Sequence, residues 1–304
     1  MRVLVKSAPK TNNFLAKINH GTNLIEVQLT EWFTTDEMLK ESMREDMDII
    51  NVHTPLLENK DDQLTDGVNL DEFMSPFTRM VLLDSCNYAE QLALYYKHDI
   101  KMIVHNSWSR QDWEKSQLVG QLAEFFAGVI EKYPHLTFAI ENITPLTRFG
   151  FRSGCFPEDA AFLAQQLNKK LKTKKFSTVI DICHLLMTNY TIETVAPDSE
   201  HVRPLCLFEM FEQSDNMCSA IHLNNKIDNG MGKNHGTPFT DSKADIVLLQ
   251  EILENYQTYA HDADIVVEVK EDDYLNCVNC RQTIKTLEVA NKLLEEPESI
   301  ILHN

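Results

Sequence analysis

No run in this 304-residue chain approaches the ~18 consecutive apolar residues that a membrane-crossing helix requires. The opening Met1-Arg-Val-Leu-Val-Lys6 meets charge too soon to act as a secretory signal, so a cytoplasmic protein with no membrane partner is expected. Basic residues are scarce: 28 Lys and Arg stand against 46 Asp and Glu, for a net charge of −18. That balance argues against a broad basic face for nucleic acid. It leaves room for a local patch inside a cleft, and an acidic surplus suits a cation site. Seven cysteines, an odd number scattered along a long chain, exclude a disulfide framework. The lone Cys277-Val-Asn-Cys280 has no second pair at zinc spacing, so all seven read as reduced thiols. Low-complexity segments and linkers are absent, which points to one domain over residues 1–304. The Lys-rich stretch 169–175 reads as a solvated helix end, where positive charge is favoured.

What is present is a regular alternation. Eight short β-branched or apolar runs occupy residues 2–6, 24–29, 48–53, 101–105, 136–141, 177–182, 219–223 and 264–269. Helical patterns fall between them at 36–45, 80–96, 113–133, 157–171, 243–256 and 282–294, with a further one around 205–211. Longer loops are expected at 56–75 and 186–204. Strands alternating with helices pair in parallel through helical crossovers, and eight such units match a closed (β/α)8 TIM barrel. The doubly wound open sheet is the alternative, but no GxGxxG follows the first strand.

The residues at the strand ends carry the chemistry. Strand three ends at His53, strand four at His105 and strand five at Glu141. Strand six ends at Asp181 with His184 three residues on, strand seven closes on His222 and strand eight on Glu268. His235 lies between the last two strands. In a barrel of this kind the strand C-termini converge on one mouth. Six consecutive strands closing on imidazole or carboxylate make a divalent-metal centre the expected content of that mouth. The absence of Cys among them suits Zn2+ or Mn2+, and the ligand number exceeds the four that one zinc needs. Two or three ions are therefore expected, with Glu141 placed to bridge.

These residues carry a resemblance. "NVHTP", "IVHNS", "IENITP", "IDICH", "IHLNN", "NHG" and "VEV" together resemble the xylose-isomerase-like TIM barrel superfamily. Within it they are most similar to AP endonuclease family 2, the group of endonuclease IV and UV-damage endonuclease. The resemblance implies one ion held by His53, His105 and Glu141. A second would take Glu141, Asp181, His222 and Glu268, and a third His184 and His235. One position departs: Lys233 stands where endonuclease IV has an Asp. In UV-damage endonuclease a lysine at this place becomes carboxylated and helps to bind metal.

The implied activity is hydrolysis of a phosphodiester, as in abasic or damaged DNA. The ions would activate water and stabilise the leaving oxygen, and Glu141, Glu268 and His184 would be the catalytic groups. Arg148 and Arg152, in the loop after strand five, are placed to clamp phosphate or to sit on the surface as ordinary arginines. Trp108 and Arg110 follow strand four, where the ring can stack on a base or sugar or close over the core. Lys233 completes the expected substrate contacts. The rival on the same barrel is a sugar isomerase or epimerase. It needs one ion on Glu141, Asp181, His222 and Glu268, with the two glutamates passing a proton next to a carbonyl. The acidic balance and Lys233 favour that rival, whereas His53, His105 and His235 favour the hydrolase.

Overall fold

The computed structural model describes residues 1–19, 22–55, 76–105, 115–144, 154–195, 203–214, 216–226 and 235–295. Eight parallel strands close into a barrel: β1 (Arg2–Ser7), β2 (Leu24–Gln28), β3 (Asp48–His53), β4 (Ile100–His105), β5 (Leu136–Glu141), β6 (Phe176–Asp181), β7 (Cys218–Leu223) and β10 (Asp264–Val267). β1 pairs with both β2 and β10, Val5 lying beside Ile25 and Val267, and this closes the ring. A small antiparallel hairpin, β8 (Asn225–Lys226) with β9 (His235–Thr237), stands apart from the barrel sheet. The helices around it are α1 (Thr11–Ile18), α2 (Asp36–Ser42), α3 (Pro76–Tyr96), α4 (Lys115–Lys132), α5 (Pro157–Leu171), α6 (Ile182–Val195), α7 (Leu207–Glu212), α8 (Lys243–Tyr259) and α9 (Val278–Glu295). The (β/α)8 barrel read from the sequence is the observed fold.

Alternation along each strand sorts the side chains. Outward positions such as Val27, Val52, Met102, Phe138 and Phe176 pack under the helices, with Phe126 of α4 in edge contact with Phe138 and Phe176 at 4.9 and 5.0 Å between ring centres. Inward positions form a separate buried plug of Leu4, Ile103, Ala139, Val179, Ala220 and Val266. Below the plug, the barrel floor is polar. Asp264 accepts from Arg2 Nε and from Lys101 Nζ (3.1 Å), and Lys101 also reaches the carbonyl of Ser219 at 2.6 Å.

Three local expectations change. The loop expected over 186–204 is in large part helix, because α6 runs from Ile182 to Val195. Its sequence is apolar nearly all round, with Ile182, Cys183, Leu185, Met187 and Ile192 buried, so no stripe announces it. α1 and the β8–β9 hairpin were not anticipated either, since eight residues and two short strands offer too few periods to read. α3 starts earlier than expected, with Pro76 in its first turn. None of the seven cysteines is joined in a disulfide, as expected. Cys277 and Cys280 are buried at the start of α9, and burial pushes the Cys280 thiol up to about 11, which makes it a poor nucleophile. Among the described residues no helix is long and apolar enough to cross a membrane.

Candidate metal centre

Two residues beyond each member of the buried plug, on the same face of its strand, lies a polar side chain. Leu4 is followed in this way by Lys6, Ile103 by His105, Ala139 by Glu141, Val179 by Asp181, Ala220 by His222 and Val266 by Glu268. The strand parity that packs the lumen therefore lifts these groups into one layer at the C-terminal mouth.

Glu141 is at the centre. Its Oε2 lies 2.9 Å from His53 Nε2 and 3.6 Å from His105 Nε2. Its Oε1 lies 3.2 Å from His222 Nδ1 and 3.6 Å from His184 Nδ1. His222 Nδ1 is also 2.9 Å from Glu268 Oε2 and 3.9 Å from Asp181 Oδ2. One ligand atom from each of Glu141, Asp181, His222 and Glu268 falls within 4.8 Å of the other three, and the same holds for His53, Glu141 and His222. His53, His105, Glu141, Asp181, His184, His222 and Glu268 thus lie together.

Backbone carbonyls fix two of the imidazoles. His53 Nδ1 donates to the carbonyl of Thr54 (2.8 Å) and His184 Nδ1 to that of Asn142 (2.7 Å). A carbonyl only accepts, so each ring carries its proton on Nδ1 and turns Nε2 elsewhere. For His53 that is toward Glu141, whose Oε2 lies 2.9 Å away. Asp181 is held by two amides. Asn142 Oδ1 accepts from its backbone N–H (2.8 Å), and Asn224 Nδ2 donates to its Oδ2 (3.2 Å). Asp181 Oδ1 in turn caps α6 by accepting from the N–H of His184 at 2.8 Å.

The strands β1 and β2 are read from the sequence, but the site residues they carry are not. Lys6 Nζ, almost wholly buried, lies 2.9 Å from Glu268 Oε2 and 3.5 Å from Glu26 Oε1. Glu26, fully buried in the middle of β2, lies 3.1 Å from His222 Nε2 and accepts from Asn51 Nδ2 at 3.0 Å. The signal for Glu26 is a carboxylate inside the apolar run Leu-Ile-Glu-Val-Gln, away from the strand end. Asn142 and Asn224 sat inside the recognised "EN" and "HLN" pieces without a role assigned to them.

Electrostatics follow from this packing. Burial would lift the Glu26 carboxyl, but the charges of His222 and Lys6 outweigh it and hold it at about 2. Burial lifts Glu141 too, and His222 with His53 drives it well below the carboxylate range. Burial would depress His222, yet Glu26 and Glu141 raise it well above the ordinary imidazole value. His105 goes the other way: burial brings it down to about 3 against the pull of Glu141, so its ring is neutral at pH 7. Four carboxyl groups, those of Glu26, Glu141, Asp181 and Glu268, face the two cationic groups of Lys6 and His222. The remaining negative charge and the borderline N and O donors fit a divalent ion.

Not every expected residue falls on described ground. Trp108, Arg110, Arg148, Arg152 and Lys233 lie outside the described residues. His235 is placed through its backbone in β9, and the carbonyl of the next residue, Gly236, accepts from Lys270 N–H at 2.7 Å. This ties the hairpin to the chain just past Glu268.

Comparison with known structures agrees with this architecture. A D-tagatose 3-epimerase-like protein matches at a TM-score of 0.58 and 16% identity, over 97% of this chain and 97% of that one. An AP endonuclease, family 2, from Brucella melitensis matches at 0.56 and 12% identity, over 91% and 96%. The IOLI protein with a bound zinc atom matches at 0.58 and 11% identity, over 99% and 100%. These proteins share the closed (β/α)8 barrel of this chain. At these identities the match extends to the fold alone. No family model matches the sequence, and no curated protein does.

Proposed function

We propose that the chain is a divalent-metal-dependent phosphodiesterase of the endonuclease IV type, binding Zn2+ or Mn2+ across Glu141. One observation carries this reading: the two oxygens of Glu141 face different imidazoles, His53 and His105 through Nε2 at Oε2 and His222 through Nδ1 at Oε1. A carboxylate so divided is arranged to bridge. His53, His105 and Glu141 would hold one ion, and Glu141, Asp181, His222 and Glu268 another, with His184 and His235 available to a third. When bound, such ions activate water and neutralise charge on a phosphoryl group. The chain's own residues supply the orientation. Asn142 and Asn224 hold Asp181, the Thr54 carbonyl turns His53, and burial keeps the His105 ring neutral. Glu141, Glu268 and His184 are the proposed catalytic groups, and Trp108, Arg148, Arg152 and Lys233 the proposed substrate contacts.

A second reading has its own support. Lys6, 2.9 Å from Glu268 and 3.5 Å from Glu26, is a fixed cation that already answers part of the carboxylate charge. A single ion on Glu141, Asp181, His222 and Glu268 would then suffice, with Glu141 and Glu268 as the acid–base pair of a sugar isomerase or epimerase. The deciding experiment is metal analysis of purified protein with two assays. About two or more ions per chain and cleavage of an abasic duplex or a simple phosphodiester are expected. One ion, no cleavage, and exchange of a ketose carbon-bound hydrogen with solvent deuterium would transfer the proposal to the isomerase.

A further inference from the structure

Carboxylates hold the His222 imidazole from both sides, with an oxygen within 3.2 Å of each ring nitrogen. Nδ1 faces Glu141, Asp181 and Glu268, the four-residue group with ligand spacing. Nε2 faces Glu26, 3.1 Å from Oε1 and 3.2 Å from Oε2. Glu26 is itself tied down. Its Oε2 takes the amide of Asn51, and its Oε1 is 3.5 Å from the Lys6 ammonium. The irregular step in the β2–β3 register at Ile25/Glu26 sets Glu26 opposite Asn51 and makes that bond possible.

We propose that Glu26 is a positioning residue: it holds the Nε2–H of His222 and so presents Nδ1 to the divalent-ion site formed with Glu141, Asp181 and Glu268. This rests on the metal-centre reading above. The physical reason is tautomer selection. With a divalent ion among the three carboxylates at Nδ1, the neutral ring keeps its one proton at Nε2, where Glu26 accepts it and a lone pair would oppose the carboxylate charge. The lone pair is then left on Nδ1, which is the nitrogen that the other three ligands surround. The same carboxylate makes Nδ1 more basic, and outer partners of this kind are typically worth 10- to 100-fold in metal affinity. Glu26 is outside both groups with ligand spacing, and its Oε2 is already shared between Asn51 Nδ2 and His222 Nε2.

The test uses full-length protein labelled with 15N-histidine. Long-range 1H–15N spectra of the Zn2+-loaded wild type should show His222 protonated at Nε2 and metal-bound at Nδ1. Zinc affinity, measured by competition with a chromophoric chelator, should fall about 10- to 100-fold in Glu26→Ala. Glu26→Gln should lose less, because its amide carbonyl still accepts from Nε2–H. Zinc bound through Nε2 in the wild type, or both variants binding zinc as the wild type does, would overturn the proposal. If Glu26→Ala does not fold, the wild-type spectrum and Glu26→Gln decide. A wild type that binds no divalent ion removes the metal reading itself, and that is seen before any variant is made.

Discussion

Asp181→Asn isolates one contribution to the centre, because it keeps the shape of the side chain and removes its charge. Both carboxylate oxygens accept: Oδ1 takes the N–H of His184 at 2.8 Å, and Oδ2 takes Asn224 Nδ2 at 3.2 Å. The introduced amide offers one acceptor. Whichever way it turns, one buried donor then faces another, a loss of about 1–3 kcal/mol. Relief of repulsion among the remaining carboxylates acts in the opposite sense. It is partly cancelled by the attraction lost to His222, 3.9 Å away. Metal-free protein should therefore melt lower by roughly 2–4 °C for each kcal/mol lost. The second reading comes from added ion. Zinc at 100 times its dissociation constant should stabilise the wild type by about 2.7 kcal/mol, and the variant, one ligand short, by much less. Calorimetry with and without zinc checks both. A metal-free variant that melts with the wild type would refute the donor accounting. Equal stabilisation of the two proteins by zinc would remove Asp181 from the ligand set.

Phe138→Ala should cost about 3–5 kcal/mol in urea denaturation, because Phe138 is fully buried between Phe126 and Phe176. Asp264→Ala should cost on the order of 3 kcal/mol, read the same way, since it strands Lys101 in the barrel floor without its carboxylate. His98 pairs with Asp48 at 2.7 Å. Burial lowers the imidazole, but the bond to Asp48 and a backbone contact outweigh it and raise the value. The stabilisation is then fully present below the ordinary imidazole range of about 6.5 and is lost as pH rises through the higher folded value. A stability difference between wild type and His98→Gln that grows on going alkaline would contradict this.

The barrel and most of its mouth were legible because both depend on a period of two. The runs ending in His53, His105, Glu141, Asp181 and His222 place a chemically active group one step past the lumen, and a sequence shows such steps directly. Glu26 and Lys6 escaped because their roles are set by partners far away in the chain. Glu26 meets His222 across the barrel, and Lys6 meets Glu268 across the closing pair of strands. α6 escaped for a different reason: a helix buried on most sides has no polar face to define its period. The asparagines at 142 and 224 were visible as motif letters, but their work, orienting Asp181, is a matter of hydrogen-bond geometry.

The seam where β1 meets β10 joins Arg2 through Val5 to Asp264 through Val267, the two ends of the fold. Contacts of such long sequence separation are slow to form, and until they do the two strands stand as unpaired edges open to other chains. The ion pair of Lys6 and Glu268 crosses this seam, so the centre is complete only once the ring has shut. Uptake of zinc during refolding would thus report the final act of assembly, and excess divalent ion should draw half-closed chains away from aggregation toward the native ring.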